Sequence, residues 1–314
     1  MRDTVVVIGV TGRLGPDVIQ TITAQGRSVV QVARSRAATV NVGEVDVRDT
    51  AWHSARRWQD ALCGAGFNPD DIAGAVSLVA SRDRSARAAE VTSIAAVRTL
   101  AALAELPSQP ACVHVGSVAE FRTGRPSAYA AGKRAARREA RRLGIHAVLT
   151  LGVVPRPHGH PGDAGVRWLA NRVPAVANLI LDTSTPTEVG AALETMIGID
   201  WHALAGRLPA EVTLIGTPQR LADIVGATPV SRWYTRPLLT TLTRVPCPRA
   251  TQGARLLTLA RAAAGPRPTY SDGPHYNTQP PTRKSHLVHS AGGWQLVAGT
   301  DDPGRWWLAP QSAA

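Results

Sequence analysis

An α/β chain wound on both faces of a parallel sheet is the fold class that three features of this sequence predict. A compact β-branched run, Thr4 to Ile8, leads straight into a glycine-rich turn and then a helical stretch, Pro16 to Gln25. Further short apolar runs follow at 28–33, 40–45, 72–80, 111–116 and 146–150, separated by longer segments that include an amphipathic helix over 88–106. Ser117 stands at the carboxyl end of the run at 111–116. Near-continuous apolar strands are the mark of a parallel sheet buried on both faces. Strand–turn–helix units in this order build a Rossmann-type, doubly wound sheet.

Bulk composition bounds the function. The chain has 314 residues, 44% of them hydrophobic, enough to bury a sizeable core in one large domain or one domain and a smaller lobe. Its formal charge of +12 raises the question of nucleic acid. The basic residues are spread along the chain, and the densest run, Lys133-Arg134 with Arg137-Arg138 and Arg141-Arg142, is expected to form a solvated helix face. No nucleic-acid motif or aromatic interleaving accompanies it, so no nucleic-acid partner is expected. Cys63, Cys112 and Cys247 are few, odd in number and widely spaced, which suggests a reducing compartment without disulfides or a zinc site. With no run of 18 apolar residues and no signal-like N-terminus, the expected location is the cytoplasm, away from membranes.

The first turn reads Gly9-Val10-Thr11-Gly12-Arg13-Leu14-Gly15. Glycines permit a tight turn and close backbone approach, and the helix that follows points its N-terminus at bound anions, with Pro16 suited to its first turn. Gly9, Thr11, Gly12, Arg13, Leu14 and Gly15 are therefore expected to cradle a dinucleotide pyrophosphate. After the second strand comes Arg34-Ser35-Arg36, where an NAD site would place an acid for the ribose 2′-hydroxyl. Guanidinium groups match a 2′-phosphate, so Arg34, Arg36 and Arg13 point to NADP as the cofactor, with Ser35 also expected to bind it.

The chain holds 33 arginines and only two lysines, one of them Lys133, four residues after Tyr129. Residues i and i+4 share a helix face, so the phenol and the ammonium are expected side by side, the cation pulling the phenol pKa down. A surface tyrosine beside a solvated lysine would have the same spacing. Ser117 stands at the carboxyl end of the fifth predicted strand, 12 residues before Tyr129. That edge is where ligands of open α/β sheets collect.

With Gly9-x-x-Gly12-x-x-Gly15, Asp46-Val47, Ser117 and Tyr129-x-x-x-Lys133 in place, residues 4 to 225 resemble the short-chain dehydrogenase/reductase superfamily, in its extended, epimerase/dehydratase-like branch. The resemblance implies that Tyr129 is the general acid or base, that Lys133 lowers its pKa and holds the nicotinamide ribose, and that Ser117 positions the substrate oxygen. It also implies that Asp46 and Val47 touch the adenine. The chain departs from the pattern in two places. Val91-Thr92-Ser93 replaces an asparagine common in relatives, and Leu151-Gly152-Val153-Val154-Pro155 stands where Arg-Pro-Gly is frequent.

Beyond the last of these strands, Pro155 to Gly165 is a loop in which His158 and His160 could contact substrate or be solvated; no partners for a metal lie nearby, so none is expected. Segments 187–197 and 217–225 look helical, with a strand over 211–215 between them. From Gly265 the chain is rich in proline and polar residues, with Trp294 to Val297 and Trp306 to Leu308 as a terminal hairpin, docked on the body or on a second subunit. The expected organisation is a dinucleotide-binding core over 1–155, the remaining sheet and a small C-terminal substrate lobe over 156–264, and a polar extension over 265–314. A homodimer is compatible with it.

The expected function is an NADPH-dependent reductase passing hydride to the carbonyl of a small-molecule ketone or aldehyde. The same residues could instead drive a nucleotide-sugar epimerase or dehydratase with retained NAD(P). A non-catalytic NADP-sensing regulator is a third reading, though one that would not need both Tyr129 and Lys133.

Overall fold

The computed structural model describes residues 2–34, 42, 44–81, 83, 85–121, 127–156, 163–204, 208–228, 285–291, 293–299 and 305–311. These residues fall into two compact units. One combines the chain up to Leu151 with 185–215 and the C-terminal strands; the other is built from 152–184 and the segment that begins at Gly216.

The described strands are β1 (Thr4–Ile8), β2 (Ser28–Val32), β3 (Ile72–Ser77), β4 (Ala111–Ser117), β5 (Ala147–Leu151), β6 (Ile180–Thr183), β7 (Ala210–Leu214), β8 (Thr217–Arg220), β9 (Ser285–Ala291), β10 (Trp294–Gly299) and β11 (Arg305–Pro310). In the first unit they form one sheet in the order β2-β1-β3-β4-β5-β7-β11-β10-β9. Every pair from β2 to β11 is parallel, and only the β11-β10-β9 end is antiparallel. The order reverses its winding between β1 and β3, so a crevice opens at the carboxyl ends of those strands, the usual ligand site of such sheets. The fold is therefore the Rossmann-type α/β sheet expected. The strand expected over 40–45 falls partly outside the described residues; Glu44 makes a single parallel bridge to Ala33.

Helices cover both faces of the sheet. The described ones are α1 (Gly15–Ala24), α2 (Ala55–Gly64), α3 (Ala86–Ala104), α4 (Ala128–Leu143), α5 (Ala164–Arg172), α6 (Pro174–Ala177), α7 (Pro186–Ile197), α8 (Trp201–Leu204) and α9 (Leu221–Val225). Alternate strand residues Val6, Ile8, Ala75, Cys112 and Val148 pack with Trp58 and Leu62 of α2, Leu100 and Leu103 of α3, and Ala136 and Ala140 of α4. On the opposite face, Gly74 of β3 lets Ile197 of α7 approach, and α7 packs on α1 at Gly190 and Thr21. No described helix is long and apolar enough to cross a membrane.

The basic run of α4 is not the uniformly solvated face its composition suggests. Arg141 and Arg142 are exposed, but Arg137 is buried, because it lies one turn beyond Lys133 on the inward side. Each of these three arginines is paired with a carboxylate, Glu211 or Glu139 among them. Much of the positive charge in this run is therefore internally neutralised.

In the second unit, β6 and β8 pair antiparallel, and Leu169, Val173, Val176, Leu221 and Ile224 share an apolar cluster. Residues 217–220 form β8, and the helix expected over 217–225 is confined to its second half. Pro218 lacks an N–H and suits the edge of a two-stranded pair, so the helix begins only after Arg220. At the C-terminus, β10 and β11 pair antiparallel and β11 adds to β7, burying Trp306 and Trp307 within the first unit, where Trp306 meets Trp201 edge-on.

Trp58 tests the main core cluster. Its ring is fully buried against Trp52, whose carbonyl accepts the indole N–H at 3.0 Å. Trp58→Ala is expected to lower stability by about 3–5 kcal/mol, read as a shift in urea midpoint. A loss under about 1 kcal/mol would mean that this cluster can collapse around the missing ring.

Candidate active site

The glycine turn is shaped by backbone contact. Gly9 has φ +90°, and a Cβ there would also crowd the backbone of Val79 at 3.1–3.3 Å. A Cβ on Gly15 would sit 1.8 Å from the Val10 carbonyl oxygen, so only glycine lets α1 start this close to the turn. Successive bonds, Gly12 N–H to Gly9 O at 3.0 Å and Gly15 N–H to Gly12 O at 3.2 Å, wind the chain into the helix. Leu14 at the N-cap position offers no side-chain bond to the leading amides. Thr11 and Arg13 are exposed on the same turn. An uncapped helix N-terminus behind a glycine turn suits an anionic group such as a pyrophosphate, so the residues present fit a dinucleotide.

Arg34 is exposed just after β2, while Ser35 and Arg36 lie outside the described residues, as do His158 and His160. Asp46 is gripped by its neighbour Arg48, with contacts of 2.6–3.1 Å. That hydrogen bond, aided by the charges of Arg48 and Arg34, holds the Asp46 carboxyl below its ordinary range despite partial burial. Asp83 is lowered chiefly by the Ser81 hydroxyl, with Arg48 and Arg34 contributing. Val47 is buried beside Asp46. An open depression lined by Arg48, Asp83, Ser85, Arg87, Val91 and Thr92 lies here, at the N-terminal end of α3. Arg48 and Asp83 were not singled out from the sequence, because their meeting depends on how two loops converge.

Ser117, Tyr129 and Lys133 are brought to the carboxyl edge of β4. Ser117 ends the strand; its hydroxyl oxygen accepts the Ala119 N–H at 3.2 Å, and the hydroxyl lies near enough to the Tyr129 phenol to act on its pKa. Tyr129 lies in the first turn of α4, where the Ser127 hydroxyl caps the helix by accepting the Ala130 N–H at 3.2 Å. Lys133 follows one turn later and is buried. Its ammonium donates to the carbonyls of Val79 at 3.0 Å and Val115 at 2.6 Å, joining the ends of β3 and β4. Gly132 makes this depth possible: a Cβ there would meet Ser93 Oγ at 2.7 Å, so α4 can press onto α3.

The electrostatics differ from the expectation drawn from the Tyr–Lys spacing. Tyr129 keeps 38% of its surface exposed, yet the dehydration of its phenol raises its pKa, with the Glu120 charge adding to the rise and the Ser117 hydroxyl opposing it. Burial lowers Lys133 to about 8; the Glu120 carboxylate opposes that fall and the Arg137 cation adds to it. The lysine charge is spent on two backbone carbonyls and does not lower the phenol. The spacing predicted a shared helix face; the burial depth of each group was decided by packing.

Because burial disfavours the charged lysine, the unfolded chain binds more protons at this position between about pH 8 and 10.5. The Lys133 contribution to stability should therefore rise with pH across that window and be flat below it. Comparing urea midpoints at pH 7.5 and 9.5, the natural chain should gain about 2 kcal/mol relative to Lys133→Met. No relative gain, or a relative loss, would show that the lysine is not dehydrated in the folded chain.

No protein-family model matches the sequence, and no curated protein matches it. Solved structures share its architecture. UDP-glucose 4-epimerase from Brucella ovis, in complex with NAD, superposes with a TM-score of 0.52 at 14% identity, over 73% of this chain and 85% of that one. dTDP-glucose 4,6-dehydratase from Bacillus anthracis, also in complex with NAD, gives 0.50 at 14% identity, over 72% and 82%. At such low identity the likeness is one of fold. The chain shares the Rossmann-type fold of these two enzymes.

Proposed function

We propose that the protein is a nicotinamide-dinucleotide-dependent oxidoreductase that reduces a carbonyl of a small molecule, with NADPH as its reductant. The observation that carries this reading is the convergence at the end of β4 of a serine hydroxyl and a neighbouring phenol, one helical turn from a buried ammonium. Gly9, Thr11, Gly12, Arg13, Leu14 and Gly15 would hold the pyrophosphate, Arg34 and Ser35 the 2′-phosphate, Asp46 and Val47 the adenine, and Lys133 the nicotinamide ribose. When bound, the dinucleotide supplies the hydride.

The residues of the chain handle the proton and the orientation. A phenol whose pKa is raised by dehydration stays protonated near neutral pH, which is what a general acid requires. Tyr129 donates that proton to the carbonyl oxygen as negative charge builds on it. The Ser117 hydroxyl, beside Tyr129, can turn its proton to the same oxygen and fix its place. Lys133, its ammonium held by the Val79 and Val115 carbonyls, keeps a fixed cation at the strand ends behind the site. Arginine at position 34, where an acid would select NAD, supports NADP.

A second reading rests on the shared fold, since the two enzymes named above are a sugar-nucleotide epimerase and a dehydratase. The same serine, tyrosine and lysine can run an oxidation and a reduction in one cycle, with the dinucleotide retained. An NADPH-oxidation screen across ketones, aldehydes, imines and keto-sugars separates the two: net NADPH consumption supports the reductase. Conversion of a nucleotide sugar without net consumption supports the second reading.

Tyr129→Phe is expected to cut turnover by about 10²–10⁴-fold while leaving NADPH affinity, measured by fluorescence, nearly unchanged. Turnover that survives this replacement would falsify the assignment of the proton donor. Arg34→Asp should shift preference from NADPH towards NADH in ratios of kcat/KM. An unchanged ratio would remove Arg34 from the 2′-phosphate site.

A further inference from the structure

Behind Ser117, Tyr129 and Lys133 lies a buried charged cluster that their roles do not use. Glu120 sits in the 3₁₀ turn Val118–Phe121 that follows β4, and is 3% exposed. Its Oε1 accepts the backbone N–H of Ser117 at 3.0 Å and Nη2 of Arg137 at 2.9 Å, and its Oε2 accepts Nε of Arg137 at 2.8 Å. Arg137, 4% exposed, also donates to Thr150 Oγ1 at 2.6 Å and to Glu211, and its guanidinium covers the Phe121 ring at 4.8 Å. Arg134 donates to the Glu120 backbone carbonyl. The strand is shaped to admit this pair: a Cβ on Gly116 would come within 2.9 Å of Glu120 Oε1 and 3.0 Å of Arg137 Nη2.

A buried ion pair is weak evidence for stability, since dehydrating both partners offsets much of their attraction. A cluster this well bonded, ending on the amide of Ser117, is better explained by what it orients and by the field it creates. Arg137 alone would press a second cation towards Lys133 from the same face of α4. Glu120 answers that charge from the side of the strand.

We propose that Glu120, clamped by Arg137, is a positioning residue for the proton-transfer site: it fixes the Ser117 end of β4 and supplies the buried negative charge that keeps Lys133 cationic. The proposal rests on the roles given above to Ser117, Tyr129 and Lys133, but its electrostatic half can be measured without turnover. The titratable and charged groups acting on or beside Lys133 are Glu120 from the turn, Arg137 and Tyr129 from its own helix, and His114 from β4. The His114 ring is itself kept neutral by burial and by the Lys133 and Arg137 charges. Of these groups, only Glu120 raises the lysine pKa against its burial, while Arg137 lowers it.

The sequence makes a direct test practical, because Lys133 and Lys284 are its only lysines. In the full chain labelled with [13Cε]lysine, two NMR signals report the two ammonium groups, and Lys284→Arg assigns them. Glu120→Gln keeps the shape and an acceptor for the Ser117 amide but loses the charge; the Lys133 titration is expected to fall by about one pH unit or more. Glu120→Asp, which restores the charge, should return most of that shift. Glu120→Gln with Arg137→Met removes both charges together, which buried pairs tolerate better than the loss of one partner. It should still lower the Lys133 titration, by less than Glu120→Gln alone, and it decides the matter if the single variant does not fold.

A Lys133 titration that stays in place in the folded variants overturns the proposal. A titration that moves while the pH profile of turnover does not also overturns it, because the charge would then not serve the reaction. If the natural chain turns over no substrate, the function proposed above fails on its own, and the titration still decides whether Glu120 sets the charge of Lys133.

Discussion

The ammonium of Lys133, buried between the carbonyls of Val79 and Val115, ties together the parts of the molecule that make a site. Val79 follows β3 and is the residue against which Gly9 packs, so the glycine turn after β1 and the lysine of α4 meet on the same backbone. Val115 belongs to β4, whose last residue is Ser117. A single cation thus fixes the end of β3, which borders the crevice where the sheet reverses its winding, and that of its neighbour β4. Its burial depends on Gly132, which lets α4 descend onto α3, and on Ser127, which starts that helix at the right residue.

Dehydration sets the electrical character of this edge. It pushes the Lys133 pKa down to about 8 and the Tyr129 pKa up, so each group is biased towards its neutral form. The Glu120–Arg137 pair supplies the balance. Glu120 raises both groups, keeping the lysine charged and the phenol protonated, the states a proton donor with a cation behind it requires. One carboxylate thereby acts on both members of the Tyr–Lys pair.

Much of this edge was legible in the chain. The β-branched run ending at Ile8, the glycines at 9, 12 and 15, and the four-residue spacing from Tyr129 to Lys133 are local patterns, and local patterns survive folding unchanged. Less legible was the field around them. Glu120 and Glu211 are 17 and 74 residues from Arg137 in sequence, so no spacing rule joins them. The i+4 step from Lys133 to Arg137 was a readable sign that Arg137 faces inward, but composition alone suggested a solvated basic stripe. Pro218 shows the same limit: a stretch with helical character became a strand because β6 was there to pair with it.

The sequence by itself determined the core strands β1 to β5 and β7, the turn that only glycine can make, and the residue types placed at the end of β4. These follow from backbone sterics and short-range periodicity, which need no partner elsewhere in the chain. Tertiary structure decided which charges are buried, which partners they find, and in which direction each pKa moves. Those outcomes depend on dehydration and on groups distant in sequence, so they exist only once the sheet and its helices have closed around them.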